Sequence, residues 1–161
     1  NVKLKTKHTM TDKTTISALD VPRYMGVWYE IARYDHRFEK NMERVTANYS
    51  LQDNGKITVV NSGYTPEGKH KQAHARAWMP DKNEPGKLKV SFFLWFASDY
   101  FILEMDEDDY SWALIGSSSD KYLWILSRTA SLPVSTLERI LDKAHSRGYD
   151  TSRLIYVKQN I

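Results

Sequence analysis

The chain has no cysteine among its 161 residues. That absence excludes a disulfide framework, a cysteine nucleophile and a thiolate metal site, while leaving the compartment open. Long hydrophobic runs are missing too: none reaches the roughly 20 residues a helix needs to cross a bilayer. No charge sign dominates, with 23 Lys and Arg against 20 Asp and Glu, a net of +3. The basic residues are scattered between acidic ones, apart from Lys3, Lys5 and Lys7, so no nucleic-acid partner is expected. Aromatic residues, by contrast, are plentiful at 12%, with 5 Trp and 10 Tyr. They point to broad apolar walls or a ligand cavity rather than a helical bundle. The length suits one domain with a core of its own.

Residues 1–18 are rich in Thr, Lys and Ser and hold no apolar period, so they are expected to form a flexible N-terminal tail. The folded domain is expected over residues 19–161. A short helical turn around Pro22 is expected to end before Gly26. From Gly26 the dominant period is two. Val45, Ala47 and Tyr49 alternate with Thr46, Asn48 and Ser50, the pattern of a half-buried strand. Asp53-Asn54-Gly55 supplies hairpin-turn chemistry after it. Further strands read over Ile57 to Tyr64, through Ala73, Ala75 and Ala77, and through Leu88, Val90, Phe92 and Leu94. Tyr100 to Met105, Trp112 to Ile115 and Tyr122 to Ser127 complete the series. Short connections without a crossover helix imply sequential antiparallel pairing. A meander of eight strands hides its edges best by closing. The fold class is therefore all-β, an eight-stranded antiparallel up-and-down barrel.

One α-helix stands apart near the C-terminus and is expected to pack outside the barrel. Ser135 and Glu138 have capping-box spacing, Leu137, Ile140, Leu141 and Ala144 share one face, and Gly148 fits the C-cap. Leu154 to Val157 reads as a last short strand.

Signals for catalysis and for metals are weak. His70 and His74 have helical ligand spacing, but on a strand four residues span about 13 Å, too far for one ion. No nucleophile-elbow motif is present, and no Asp or Glu pair stands out as facing inward. Neither a metal nor a cofactor is expected, and the chain is not expected to be an enzyme.

Gly26-Val27-Trp28-Tyr29-Glu30 resembles the signature opening the first strand of lipocalins. Ser127-Arg128-Thr129 resembles their third conserved block, and Met105-Asp106-Glu107 partly matches the second. The run from Gly26 to Glu39, with Lys89 to Phe93 and Tyr122 to Thr129, is similar to the bacterial outer-membrane (Blc-like) type of that family. The resemblance implies a structural motif of Gly26, Trp28, Tyr29, Asp106 and Arg128. Trp28 and Arg128 would meet at the closed end, a guanidinium over an indole.

The resemblance also implies a cavity for a lipid-like amphiphile, a fatty acid or lysophospholipid. A packed-interior scaffold or a lipocalin-fold enzyme are the alternatives. Strand parity and position nominate Val45, Ala47, Tyr49, Ala75, Ala77, Val90, Phe92, Tyr100, Trp112 and Trp124 as its lining, with Trp95 and Phe96 at the mouth. By the same parity Glu30, Ala32 and Tyr34 are expected to point inward with Trp28, and Glu30 to find a partner in Arg128 or Arg33. Association with a membrane is expected through the mouth residues and a lipidated cysteine just before residue 1, placing the protein at the bacterial outer membrane or in the periplasm.

Overall fold

The computed structural model of the chain describes residues 11–36, 39–93 and 96–159, the side chains of Phe93 and Phe96 excepted. A single turn of helix, α1 (Val21–Tyr24), precedes β1 (Gly26–Tyr34), β2 (Glu43–Leu51), β3 (Ile57–Tyr64), β4 (His70–Trp78), β5 (Lys87–Phe93), β6 (Phe96–Met105), β7 (Trp112–Gly116) and β8 (Leu123–Ser127). The longer helix α2 (Val134–Ser146) and a short β9 (Leu154–Tyr156) follow. Each strand from β2 to β7 pairs with the next, and β1 pairs with both β8 and β2, closing the barrel. All pairings are antiparallel, as expected of a meander.

Strand β1 changes partners along its length. Gly26 to Tyr29 pair with β2, whereas Ala32 to Tyr34 pair with β9. Where β1 and β2 diverge, Gln159 Nε2 donates to Glu30 O at 2.7 Å and Val45 O at 2.9 Å, bridging the gap.

A β-bulge between Glu30 and Ala32 resets the side-chain alternation on β1. Trp28 packs in the barrel interior, but Ala32 and Tyr34 join a second cluster outside it. The expectation that Ala32 and Tyr34 point inward is thereby corrected. An extra residue on one strand flips every side chain beyond it. β6 has a similar irregularity between Ile102 and Glu104, and there Ile102 and Met105 face the interior while Leu103 joins the outer cluster.

The outer cluster lies under α2. Ile140 and Ala144 are fully buried against Leu114, Leu123 and Ile125. Ser135 and Glu138 do not form the expected capping box. The helix starts at Val134 with Pro133 at the cap, so Ser135 already lies within the first turn and no side chain caps that end. The other end matches expectation. Gly148 has φ +96° and donates to His145 O, and Tyr149 donates to Ala144 O, the paired bonds of a Schellman motif.

The tail does not extend to residue 18 as expected. Ile16 is 8% exposed within the interior cluster and donates from its N–H to Ile102 O at 3.0 Å. Arg147 holds the same segment, donating from Nη1 to Asp12 O at 2.9 Å and Thr14 O at 2.7 Å. The apolar Ile16 has a cavity wall to bury against, which its polar neighbours conceal in the sequence. Residues 1–10 lie outside the described residues.

Candidate ligand-binding site

The closed end is built on Arg128. Its guanidinium carbon stands 3.9 Å from the Trp28 ring centroid. Its three nitrogens donate to Tyr110 O at 3.2 Å, Val27 O at 3.1 Å and Arg23 O at 2.7 Å. Trp28 is fully buried and donates from Nε1 to Tyr24 O at 2.8 Å. Gly26 is favoured here by its backbone conformation. Its φ is +100°, a region that residues with a Cβ rarely adopt. Asp106 ties the β6–β7 turn, accepting from the Asp108, Asp109 and Ser111 N–H groups and the Ser111 hydroxyl. Burial opposes ionisation of Asp106, but these bonds hold its carboxyl below the usual range. Tyr29 packs on the outer cluster.

Above this plug three tyrosines form a hydroxyl chain. Tyr100 OH lies 2.6 Å from Tyr24 OH and 2.8 Å from Tyr49 OH. Burial pushes all three phenols up, Tyr24 and Tyr100 well above their usual range. Beside them, between Leu19, Met25, Ile57 and Leu88, remains a void of only about 10 Å³. That is the scale of a single water, so the lower half of the barrel is packed.

The upper half differs. Ala73 and Ser98 continue the inward alternation set by Ala75 and Ala77 and by Tyr100, yet both are exposed. Phe92, nominated as lining and 42% exposed, lies at a register shift between Val90 and Phe93, so the alternation of Leu88 and Val90 does not carry on to it. Ala73 and Ser98 leave part of the interior wall uncovered. Small residues on β4 create this space.

Most of the nominated lining residues meet in the interior. Tyr49, Ala75 and Ala77 are buried there, and Ala47, Val90, Tyr100 and Trp124 pack against them. Val45 is buried near Gly63 at the top of β2, in neither cluster. Trp112 is corrected: it lies in the outer cluster under α2, while its neighbour Ala113 faces inward. Trp95, Arg37, Phe38 and the Phe96 side chain lie outside the described residues.

Of the two partners expected for Glu30, the structure supplies Arg33, while the place of Glu39 beside them was not foreseen. The bulge turns Arg33 inward, 1% exposed, with Nη1 donating to Glu30 Oε2 at 2.9 Å. Arg33 Nη2 donates to the backbone carbonyl of Glu39, in the β1–β2 connection. The Glu39 carboxyl oxygen Oε1 lies 2.7 Å from His36 Nε2 and 3.2 Å from Trp124 Nε1. Burial and then the Glu39 charge push Glu30 well above the usual carboxyl range. Burial also works against Glu39, but hydrogen bonds from His36 and Glu30 outweigh it and hold Glu39 below that range. The expectation that no acidic pair faces inward is therefore corrected. Nothing in the local alternation reveals a pair joined by a bulge and a loop. Among the described residues no three His, Asp or Glu side chains converge to hold a metal.

Comparison with known proteins agrees with this architecture. Residues 19–159 match the family model described as a lipocalin-like domain. The chain is 41% identical over 145 residues to the outer membrane lipoprotein Blc of Vibrio cholerae, covering 89% of this chain and 85% of that protein. It is 36% identical to mouse apolipoprotein D, covering 87% and 77% respectively. Among solved structures, lobster apocrustacyanin A1 superposes with a TM-score of 0.73 at 22% identity, covering 88% of this chain and 81% of the other, a likeness of fold. With the Gly26–Trp28–Arg128 plug in place at the closed end of an eight-stranded barrel, the chain belongs to the lipocalin family.

Proposed function

We propose that this protein binds a lipid-like amphiphile, a fatty acid or lysophospholipid, in the upper half of its barrel. The observation that carries the reading is the exposed inward alternation of Ala73 and Ser98 above a packed floor. An acyl chain laid along that wall would gain about 0.8 kcal/mol for each methylene removed from water. The proposed role is carriage or storage rather than catalysis. The Blc relatives are named outer membrane lipoproteins, which supports a place at the bacterial outer membrane or in the periplasm, with an N-terminal lipid tether.

Mass spectrometry of organic extracts from the purified protein tests this reading, together with calorimetric titration of oleate and of a lysophospholipid. Recovery of one lipid class at near-stoichiometric amounts, or saturable binding of either probe, is the expected result. A lipid-free protein that binds neither probe would overturn it.

A further inference from the structure

Three nitrogen donors converge on one carboxylate oxygen in the upper half of the barrel. Glu39 Oε1 lies 2.7 Å from His36 Nε2, 3.2 Å from Trp124 Nε1 and 3.9 Å from Arg33 Nε. Arg33 is almost wholly buried, and among the described residues its Nε has no hydrogen-bond partner. Imidazole, indole and guanidinium N–H groups around one oxygen make a receptor for a carboxylate or a phosphate monoester. Aromatic faces frame it: Tyr122 stacks on Trp124 at 5.7 Å, and the His36 ring meets both edge-on. Trp124 also packs against the interior core. The receptor thus faces the same barrel interior as the path proposed for the acyl chain.

Glu39 reaches this position from a loop, not from a barrel strand. Its backbone is held by its own N–H to His36 O at 3.1 Å, by Met42 N–H to Glu39 O at 2.9 Å and by Arg33 Nη2 to the same carbonyl. Arg33, by contrast, sits on β1 and Trp124 on β8, which pair in register. The strand donors are fixed and the acceptor is carried by the connection.

We infer that Arg33, His36 and Trp124 form the headgroup site for an anionic amphiphile, and that Glu39 occupies it in place of the ligand. This rests on the lipid-binding reading above and adds the chemistry of the head. A bound carboxylate or phosphate replaces the Glu39 carboxylate at these three donors, and the Glu39 side chain rotates away. Self-occupancy weakens apparent affinity by the fraction of time the site is free. If Glu39 holds the site nine-tenths of the time, removing its charge tightens binding about tenfold.

The test is calorimetric titration of oleate, oleyl phosphate and oleyl alcohol into wild type, Glu39→Gln and Glu39→Ala, each checked for an unchanged melting temperature. Both variants are expected to bind oleate or oleyl phosphate about tenfold tighter, with oleyl alcohol unchanged. The two anions separate a carboxylate from a phosphate head. In the Glu39→Gln background, Trp124→Phe is expected to weaken the anionic probe several-fold and leave the alcohol alone. Equal shifts for alcohol and anions, or no shift for either anion, would overturn the site while leaving lipid binding in place. Displacement of oleate from Glu39→Gln by millimolar inorganic phosphate would make it a site for free anions and overturn the lipid assignment. Failure of all three lipids to bind any variant would overturn both readings together.

Discussion

Arg33 reaches back three residues along its own strand to Glu30, Nη1 to Oε2 at 2.9 Å, with both side chains buried. Two residues pointing the same way on a strand are normally separated by an even number. The bulge at Ile31 makes a separation of three work. A barrel interior that accepts a cation therefore also needs a carboxyl close by, because an unpaired buried charge is costly.

This arrangement makes stability depend on pH with a defined sign. Burial raises Glu30 in the folded state well above its ordinary value of 4.5. Below that value both states are protonated and its contribution to stability is fully present. As pH rises, the unfolded chain ionises first, so stability is lost until the folded carboxyl also ionises. Glu39 is lowered and acts with opposite sign, below 4.5. Relative to Glu30→Gln, the wild-type melting temperature should fall as pH rises from about 5 upward. A difference between the two proteins that is constant with pH would contradict this.

The closed end should be the most sensitive to substitution. Trp28→Ala removes a fully buried indole and should cost about 3–5 kcal/mol, roughly a 10 °C fall in melting temperature for a chain of this size. Arg128→Ala leaves three carbonyl groups without their donor and should cost about 2 kcal/mol or more. Gly26→Ala should cost about 1–2 kcal/mol through its positive φ alone. Thermal melts of the three variants check the order.

Arg147 fastens residues 12–16 to the barrel. Besides Asp12 O and Thr14 O, it reaches Glu104 Oε2 and Leu103 O, both at 2.8 Å. Arg147→Ala should free this segment while the barrel stays folded. Hydrogen exchange at the Ile16 amide should accelerate by at least tenfold, with β7 and β8 amides unchanged. Unaltered exchange at Ile16 would mean that its own burial suffices to hold the segment.

The barrel was legible in the sequence because alternation is a strictly local signal. Ala75, Ala77, Tyr49 and Trp124 fall where parity puts them. Arg33 was named as a partner for Glu30, but its inward turn and the place of Glu39 were not legible, because a bulge breaks parity without any mark in residue type, and a loop residue's destination depends on tertiary contacts. Trp112 shows a third cause. On β7 both faces are buried, Ala113 inward and Trp112 under α2, so hydrophobicity cannot distinguish them. Size misled there, since the small residue faces the cavity and the large one faces the helix.

The tyrosine chain should act as the floor of the binding site. Tyr24, Tyr49 and Tyr100 join hydroxyls across the barrel, and only about 10 Å³ remains beside them. An acyl chain entering from the open end can lengthen along the wall only until it meets these rings. In a series of saturated fatty acids, affinity should rise about fourfold per methylene, the equivalent of ~0.8 kcal/mol, and then level off. Tyr100→Ala removes the central ring of the floor and should extend the rise to longer chains. Tyr100→Phe keeps the ring and should leave the plateau in place, while its lost hydroxyl costs about 1–3 kcal/mol in stability. Titration of the series into the three proteins checks both effects. A plateau at the same chain length in wild type and Tyr100→Ala would show that the chain stops short of the tyrosines.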